Sequence, residues 1–258
     1  MSGFKVIIPL QVSNILYQND NFNFVSTEKA MEVIFHKTTS QSKSLSTQVS
    51  NLLDNDINYL DQINALYDLS EISNFDYNID FKKLTDIDIN KNLYIFSGII
   101  YSLNHFFKKG LTNREISDKL CKGEKALFIG GLSLSFQLNI VRIPSNFLLL
   151  ITGEINDISV FEKLEKYAPT NSAALIYKLL MTDHNMYPEL INEQLLAYLQ
   201  LDIKDYPTII SLNRIGKNLR LLCSNTLEAE QIMQTLQKKK VVSKVCLLKV
   251  NNEGIVIA

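Results

Sequence analysis

The chain is poor in the residues on which catalytic and cofactor chemistry is usually built. It has three histidines, His36, His105 and His184, in 258 residues. None has another His, Cys or acid at metal-ligand spacing except Asp183 beside His184, and adjacent residues on a helix do not converge. No metal site is expected. Glycine is scarce, at nine residues, and neither a G-x-G-x-x-G fingerprint nor a Walker-type loop occurs. Gly130-Gly131-Leu132-Ser133 comes nearest to a G-x-S-x-G nucleophile elbow but lacks the closing glycine. Tryptophan is absent and there are five prolines. These absences leave no catalytic residue and no cofactor to nominate.

Long apolar runs are missing too. No stretch approaches the roughly 18 apolar residues of a membrane span; Phe147–Ile151 is the most lipid-like piece and far too short. Met1–Leu10 lacks the basic start and small-residue cleavage site of a secretory signal. The cysteines, Cys121, Cys223 and Cys246, are odd in number and widely spaced. They fit buried thiols in a reducing compartment, not a disulfide framework, so a cytoplasmic location is expected.

What is present suits a folded chain. With 46% apolar and 21% charged residues, it can bury a substantial core, in one large domain or two small ones. The net charge is −1, but it is unevenly spread. Residues 1–90 carry 6 Lys against 12 acids, residues 91–206 balance at 12 and 12, and residues 207–258 carry 8 bases against 3 acids. An acidic front and a basic tail can attract each other or face partners.

Internal similarity organises the second half. Arg142–Lys166 aligns without a gap on Arg214–Lys238, with 7 of 25 positions identical: Arg142/Arg214, Ile143/Ile215, Asn146/Asn218, Leu149/Leu221, Leu150/Leu222, Leu164/Leu236 and Lys166/Lys238. Each copy reads as a turn, a short apolar strand, a capping signal and a helix. In the second copy Asn225 stands three residues before Glu228, which suits a helix N-terminus. Ala229, Ile232, Met233 and Leu236 then make one apolar face. Runs upstream, Phe136–Val141 and Thr208–Asn213, are placed to pair with the strands across the turns, and Val241–Val250 reads as a closing strand.

In the first half, Phe4–Leu10 reads as a strand and Gln11–Phe24 as irregular. Thr27, Ala30, Val33 and Ile34 carry a helical spacing. Thr38–Thr47 is a polar run. Val49, Leu52, Leu53, Ile57, Leu60, Ile63 and Leu66 form one helical stripe through Leu69. Ser73–Asn92 reads as an acidic loop, and its Asp86-x-Asp88-x-Asn90 continues into Lys91 where a calcium loop needs Gly. Leu93–Phe107 is a strongly apolar helix. Thr112–Leu120 is a polar one, with Thr112 and Glu115 as a capping pair. Ala126–Gly130 and Leu132–Val141 look strand-like around a Gly130-Gly131 turn, and Ala173–Met181 and Pro188–Leu199 read as helices.

The expected class is α+β: a helical N-terminal portion and a C-terminal half of two related β-β-α units with mainly antiparallel strands. The division is residues 1–120, with an acidic loop near 73–92, and residues 121–258, with units about 133–168 and 207–250 and two helices inserted between them.

Two short likenesses bear on function. Gly110–Leu120, GLTNREISDKL, resembles the first helix of the LuxR-type helix-turn-helix family, which implies DNA reading through a recognition helix. The residues that follow read as a turn and a strand, so nothing is left to enter a major groove. The turn, strand and helix from Arg214, with Thr152-Gly153-Glu154-Ile155 in the first copy, are similar to the central hairpin and helix of bacterial microcompartment shell domains.

The expectation for function is a non-enzymatic adaptor or structural subunit, working through a protein partner or self-association in a cytosolic assembly. One alternative is a small-ligand sensor or enzyme with an anion-binding pocket between the repeats, Arg142 and Arg214 being the candidate ligands. Another is nucleic-acid binding through the basic tail, led by Lys238, Lys239 and Lys240 with Lys217, Arg220, Lys244 and Lys249 around them. That tail has no aromatic residue from Pro207 onward to stack on bases, so this alternative stands last.

Overall fold

The computed structural model describes residues 3–13, 24–38, 44–69, 72, 75–106, 111–112, 115–116, 128, 130–134, 139–141, 148–159, 162, 209–213, 218–223, 225–238, 240 and 242–258. The class is α+β, and every strand pairing given below is antiparallel. Two compact units account for the chain: Met1–Gln11, Glu28–Gly130 and Glu253–Ala258 form one, Val12–Thr27 and Gly131–Asn252 the other.

The first unit is built on β1 (Phe4–Ser13) and β2 (Phe24–Lys37), both of which begin or end in the second unit. In β2 the buried Met31, Val33 and Phe35 alternate with the more exposed Glu32, Ile34 and His36. That period of two is a strand period, and it overrides the helical spacing of Thr27, Ala30, Val33 and Ile34, which is corrected here. β-branched and aromatic residues at 33–35 favour the extended form as well. β3 (Tyr77–Lys83) lies along β2, with Val33 opposite Phe81 and Phe35 opposite Ile79. The acidic stretch is therefore partly strand, its alternation of carboxylates and apolar groups being a sheet pattern. The short β10 (Val256–Ile257) pairs with β1. The N-terminal portion thus holds long strands beside its helices.

One helical stripe becomes two helices. α1 (Leu45–Leu52) and α2 (Ile57–Leu66) are separated by Asp54 and Asn55, both at positive φ, 52° and 58°. Asn and Asp tolerate that left-handed conformation better than other side chains, and Asp56 then caps α2. α3 (Lys91–Phe106) buries Tyr94 to Ile100 along with Ser102 and Leu103. Its Gly98 lets it approach the sheet: a Cβ there would lie 2.6 Å from Cγ2 of Val33 and 3.0 Å from Cδ1 of Ile8. Phe96 packs on Tyr59 of α2, ring centroids 4.8 Å apart. Phe4 stacks on Phe35 at 4.5 Å and meets Phe106 edge-on at 4.9 Å. Thr112 and Glu115 form the expected capping box, with Thr112 N donating to Glu115 Oε2 at 2.7 Å and Glu115 N to Thr112 Oγ1 at 3.2 Å. Phe128, where a strand was expected, lies in helical backbone and is fully buried.

At the boundary between the units in sequence, Gly130 and Gly131 take positive φ as a turn requires. They lead into β4 (Leu132–Leu134), which pairs with the start of β2 and with β5 (Asn139–Val141). A separate four-stranded sheet runs β7 (Ile209–Asn213), β8 (Asn218–Cys223), β6 (Leu148–Glu154), β9 (Val245–Lys249). Helix α4 (Thr226–Lys238) packs on it through Ala229, Ile232 and Leu236. Asn225 caps it as expected, accepting from Glu228 N at 2.9 Å. The β7–β8 hairpin of the second copy is present. Its counterpart in the first copy is not: β6 is flanked by β8 and β9, and β5 pairs with β4 instead. The equivalent strands of the two copies lie side by side, Leu149 opposite Leu222 and Leu150 opposite Leu221. The expected helices at 173–181 and 188–199 lie outside the described residues.

Candidate functional site

Strand β8 reads Asn-Leu-Arg-Leu-Leu-Cys. Side chains alternate along a strand, so Leu219, Leu221 and Cys223 share one face while Asn218, Arg220 and Leu222 share the other. Leu219, Leu221, Leu222 and Cys223 are all 0% exposed, which means that both faces are covered and a cation is held in one of them. Across the ladder Arg220 stands opposite Ile151 of β6, and Ile151 opposite Cys246 of β9. The next row on that face is Leu222, Leu149 and Leu248. The Arg220 guanidinium therefore borders an apolar row.

Burial lowers the Arg220 pKa to about 10. Its Nε and Nη1 are buried and have no hydrogen-bond partner among the described residues. Two residues earlier on the same face, Asn218 Oδ1 is buried in the same condition. A buried donor left unmade costs about 1–3 kcal/mol, more when charged. This corner of β8, with Ser211 and Asn213 of β7 in register opposite Arg220 and Asn218, is thus polar and electropositive and carries unsatisfied atoms.

On the other face Cys223 is a poor nucleophile. Burial, and then the Glu228 carboxylate, hold its thiol well above the usual range, and a buried neutral thiol is inert. Neither Cys223 nor Cys246 is in a disulfide.

Helix starts are the usual backbone cradles for phosphate. Each of α1 to α4 carries a side-chain cap. Ser44 Oγ accepts from Thr47 N at 3.3 Å, Asp56 Oδ1 from Asn58 N at 3.1 Å, Asn90 Oδ1 from Leu93 N at 3.2 Å, and Asn225 Oδ1 from Glu228 N at 2.9 Å.

Of the residues nominated from sequence, Lys238 and Lys240 are exposed at the end of α4. Lys240 has φ 51°, and its carbonyl accepts from Asn156 Nδ2 at 3.3 Å. Arg142, Arg214, Lys239 and His184 lie outside the described residues. His36 and His105 are exposed. Among the described residues no three His, Cys, Asp or Glu side chains come together as metal ligands, and no helix is long and apolar enough to cross a membrane. By sequence Arg220 groups with the basic tail. The signal that sets it apart is a single cation within a leucine-rich strand.

No family model matches the chain, and no curated protein matches it in sequence. Solved structures do match it in fold, over essentially the full length of both partners. Homoserine kinase from Cytophaga hutchinsonii superposes with a TM-score of 0.56 at 13% identity, covering 100% of this chain and 98% of that one. Mevalonate diphosphate decarboxylase from Staphylococcus aureus gives 0.52 at 12%, covering 99% and 98%. Mevalonate kinase from Methanococcus jannaschii gives 0.51 at 13%, covering 97% and 98%. This full-length likeness to enzymes overturns the expectation of a non-enzymatic adaptor or structural subunit. Of the sequence expectations, the alternative of a ligand-binding enzyme fits it better. At these identities the likeness establishes the fold: this chain has the architecture shared by homoserine kinase, mevalonate kinase and mevalonate diphosphate decarboxylase.

Proposed function

We propose that the chain is a small-molecule phosphotransferase, moving a phosphoryl group from a nucleoside triphosphate to the hydroxyl of a small hydroxy acid. The observation that carries this reading is the two-way, full-length fold correspondence with the homoserine and mevalonate kinases. Coverage of nearly all of both chains argues against a shared fragment. Homoserine and mevalonate are both hydroxy acids, hence the proposed acceptor class. Cys223 and Cys246, neither of them in a disulfide, agree with a reducing, cytoplasmic setting.

A second reading, a sensor that binds such ligands without transfer, is favoured by the helix starts. Each of α1 to α4 is capped by its own side chain, and no glycine precedes these four within the capping turn. Phosphate would then be held by side chains.

The test is ADP release from ATP, supplied with magnesium, across a panel of small hydroxy acids. Acceptor-dependent release supports the phosphotransferase. Saturable nucleotide binding without release selects the sensor. Neither binding nor release removes both.

A further inference from the structure

We propose that Arg220 and Asn218 of β8 form an oxyanion subsite that takes the carboxylate or phosphate group of a small ligand. The proposal deepens the phosphotransferase reading by assigning residues to the anionic part of the acceptor, and in that respect rests on it.

Three observations converge. First, α1 to α4 each give one backbone N–H of the first turn to a side-chain cap, so at these helix starts an anion competes with a cap, whereas the Arg220 donors meet no such competitor among the described residues. Second, Arg220 is the one arginine among the described residues, and its charge lies within the sheet. By contrast, Lys5 pairs with Glu32 at 2.7 Å and Lys91 with Asp54 at 3.1 Å. Among the described residues no carboxylate bonds to Arg220. The nearest acid in register is Glu154, opposite Asn218, and it is exposed. Third, the unsatisfied atoms suit an oxyanion. Nε and Nη1 belong to the two different edges of the guanidinium fork, so either edge, with Nη2, can hold a carboxylate or phosphate in bidentate fashion. Asn218 Oδ1 lacks a partner on the same face, and a half-turn of that amide presents Nδ2–H to the anion. Arg220 keeps partial exposure, which leaves a route in.

The experiment titrates the full-length protein with inorganic phosphate and, separately, malonate, at ionic strength matched with sodium chloride. Calorimetry and thermal denaturation are the readouts. Wild type is expected to show saturable binding and stabilisation with at least one of the two, and none with chloride. Phosphate alone marks a phosphorylated ligand, malonate alone a carboxylate. Arg220→Met is expected to weaken that binding by about tenfold or more, while its melting temperature in anion-free buffer equals or exceeds that of wild type, since an uncompensated buried cation has been removed. If Arg220→Met fails to fold, Arg220→Lys decides. It keeps the charge without the fork, and about tenfold weaker binding is expected. Wild-type titrations no different from chloride, or undiminished binding in the variant that folds, would overturn the subsite. No nucleotide is used, so failure here leaves the phosphotransferase reading to its own assay.

Discussion

Tyr94 shows how much a single buried hydroxyl decides. It is 3% exposed and accepts the backbone N–H of Gln11 at 2.9 Å, tying α3 to β1. Burial raises its pKa to about 12, against a smaller opposing pull from the Gln11 bond. Tyr67, also buried, is raised to about 12. A raised tyrosine pKa means that the folded state prefers the neutral phenol. The resulting stability is fully present below the unfolded value near 10 and is lost as pH climbs from there toward 12. Arg220 works in the opposite sense. Its pKa is lowered to about 10, so above that pH the folded state binds fewer protons than the unfolded chain until the ordinary guanidinium value is reached, and stability from this group rises with pH. Replacing Tyr94 by Phe is expected to cost about 1–3 kcal/mol at pH 7, because the Gln11 N–H loses its acceptor. The same change should make the loss of stability between pH 10 and 12 shallower. Urea melts at pH 7, 10 and 11 measure both; an unchanged alkaline slope would contradict the assignment.

Among elements, β3 is the informative one, because it lies at a sheet edge and is not left open. Gln48 of α1 donates from Nε2 to Tyr77 O at 3.0 Å and accepts from Ile79 N at 2.9 Å. Asp80 Oδ1 accepts from Phe81 N at 2.7 Å. Side chains thus occupy backbone groups that would otherwise pair with another chain. Gln48→Leu is expected to destabilise by about 1–3 kcal/mol and to make association concentration-dependent, as sedimentation would show. α3 offers a second test. Gly98→Ala gains up to ~1 kcal/mol of helix propensity, but its methyl meets Val33 Cγ2 on a fully buried, stiff side chain. Overpacking should win, with a net loss of about 1–2 kcal/mol. Val33→Ala in that background should recover part of it, and simple additivity of the two losses would contradict the contact.

The same elements show what the sequence could and could not reveal. α3, α4 and β8 were legible because their patterns are local: an apolar run, a cap with a helical stripe, a leucine-rich hexamer. β2 was misread because Ala30, Val33 and Ile34 satisfy a helical spacing, while Met31, Val33 and Phe35 satisfy the strand spacing that the neighbours β1 and β3 select. The break between α1 and α2 was encoded in Leu53-Asp54-Asn55-Asp56, whose left-handed residues and cap interrupt an otherwise continuous stripe. The first-copy hairpin failed for a non-local reason. β6 is flanked by β8 and β9, strands about 70 and 95 residues away along the chain, and no turn sequence announces that choice. Arg220 was visible as a residue but not as a buried one, since its burial depends on β6 and on the covering of the sheet.

At the scale of the whole molecule, chain-length correspondence with enzymes replaces the adaptor reading, although no sequence motif accompanies it. Helices α1 to α4 bring their own caps, and Arg220 is the cation that the described sheet leaves unsatisfied. Equilibrium titration of the intact protein with ATP in the presence of magnesium, followed by calorimetry, tests the central claim most directly. Saturable binding of one nucleotide per chain, with a dissociation constant of about a millimolar or tighter, is the predicted result. Heats indistinguishable from dilution across that range would contradict the account.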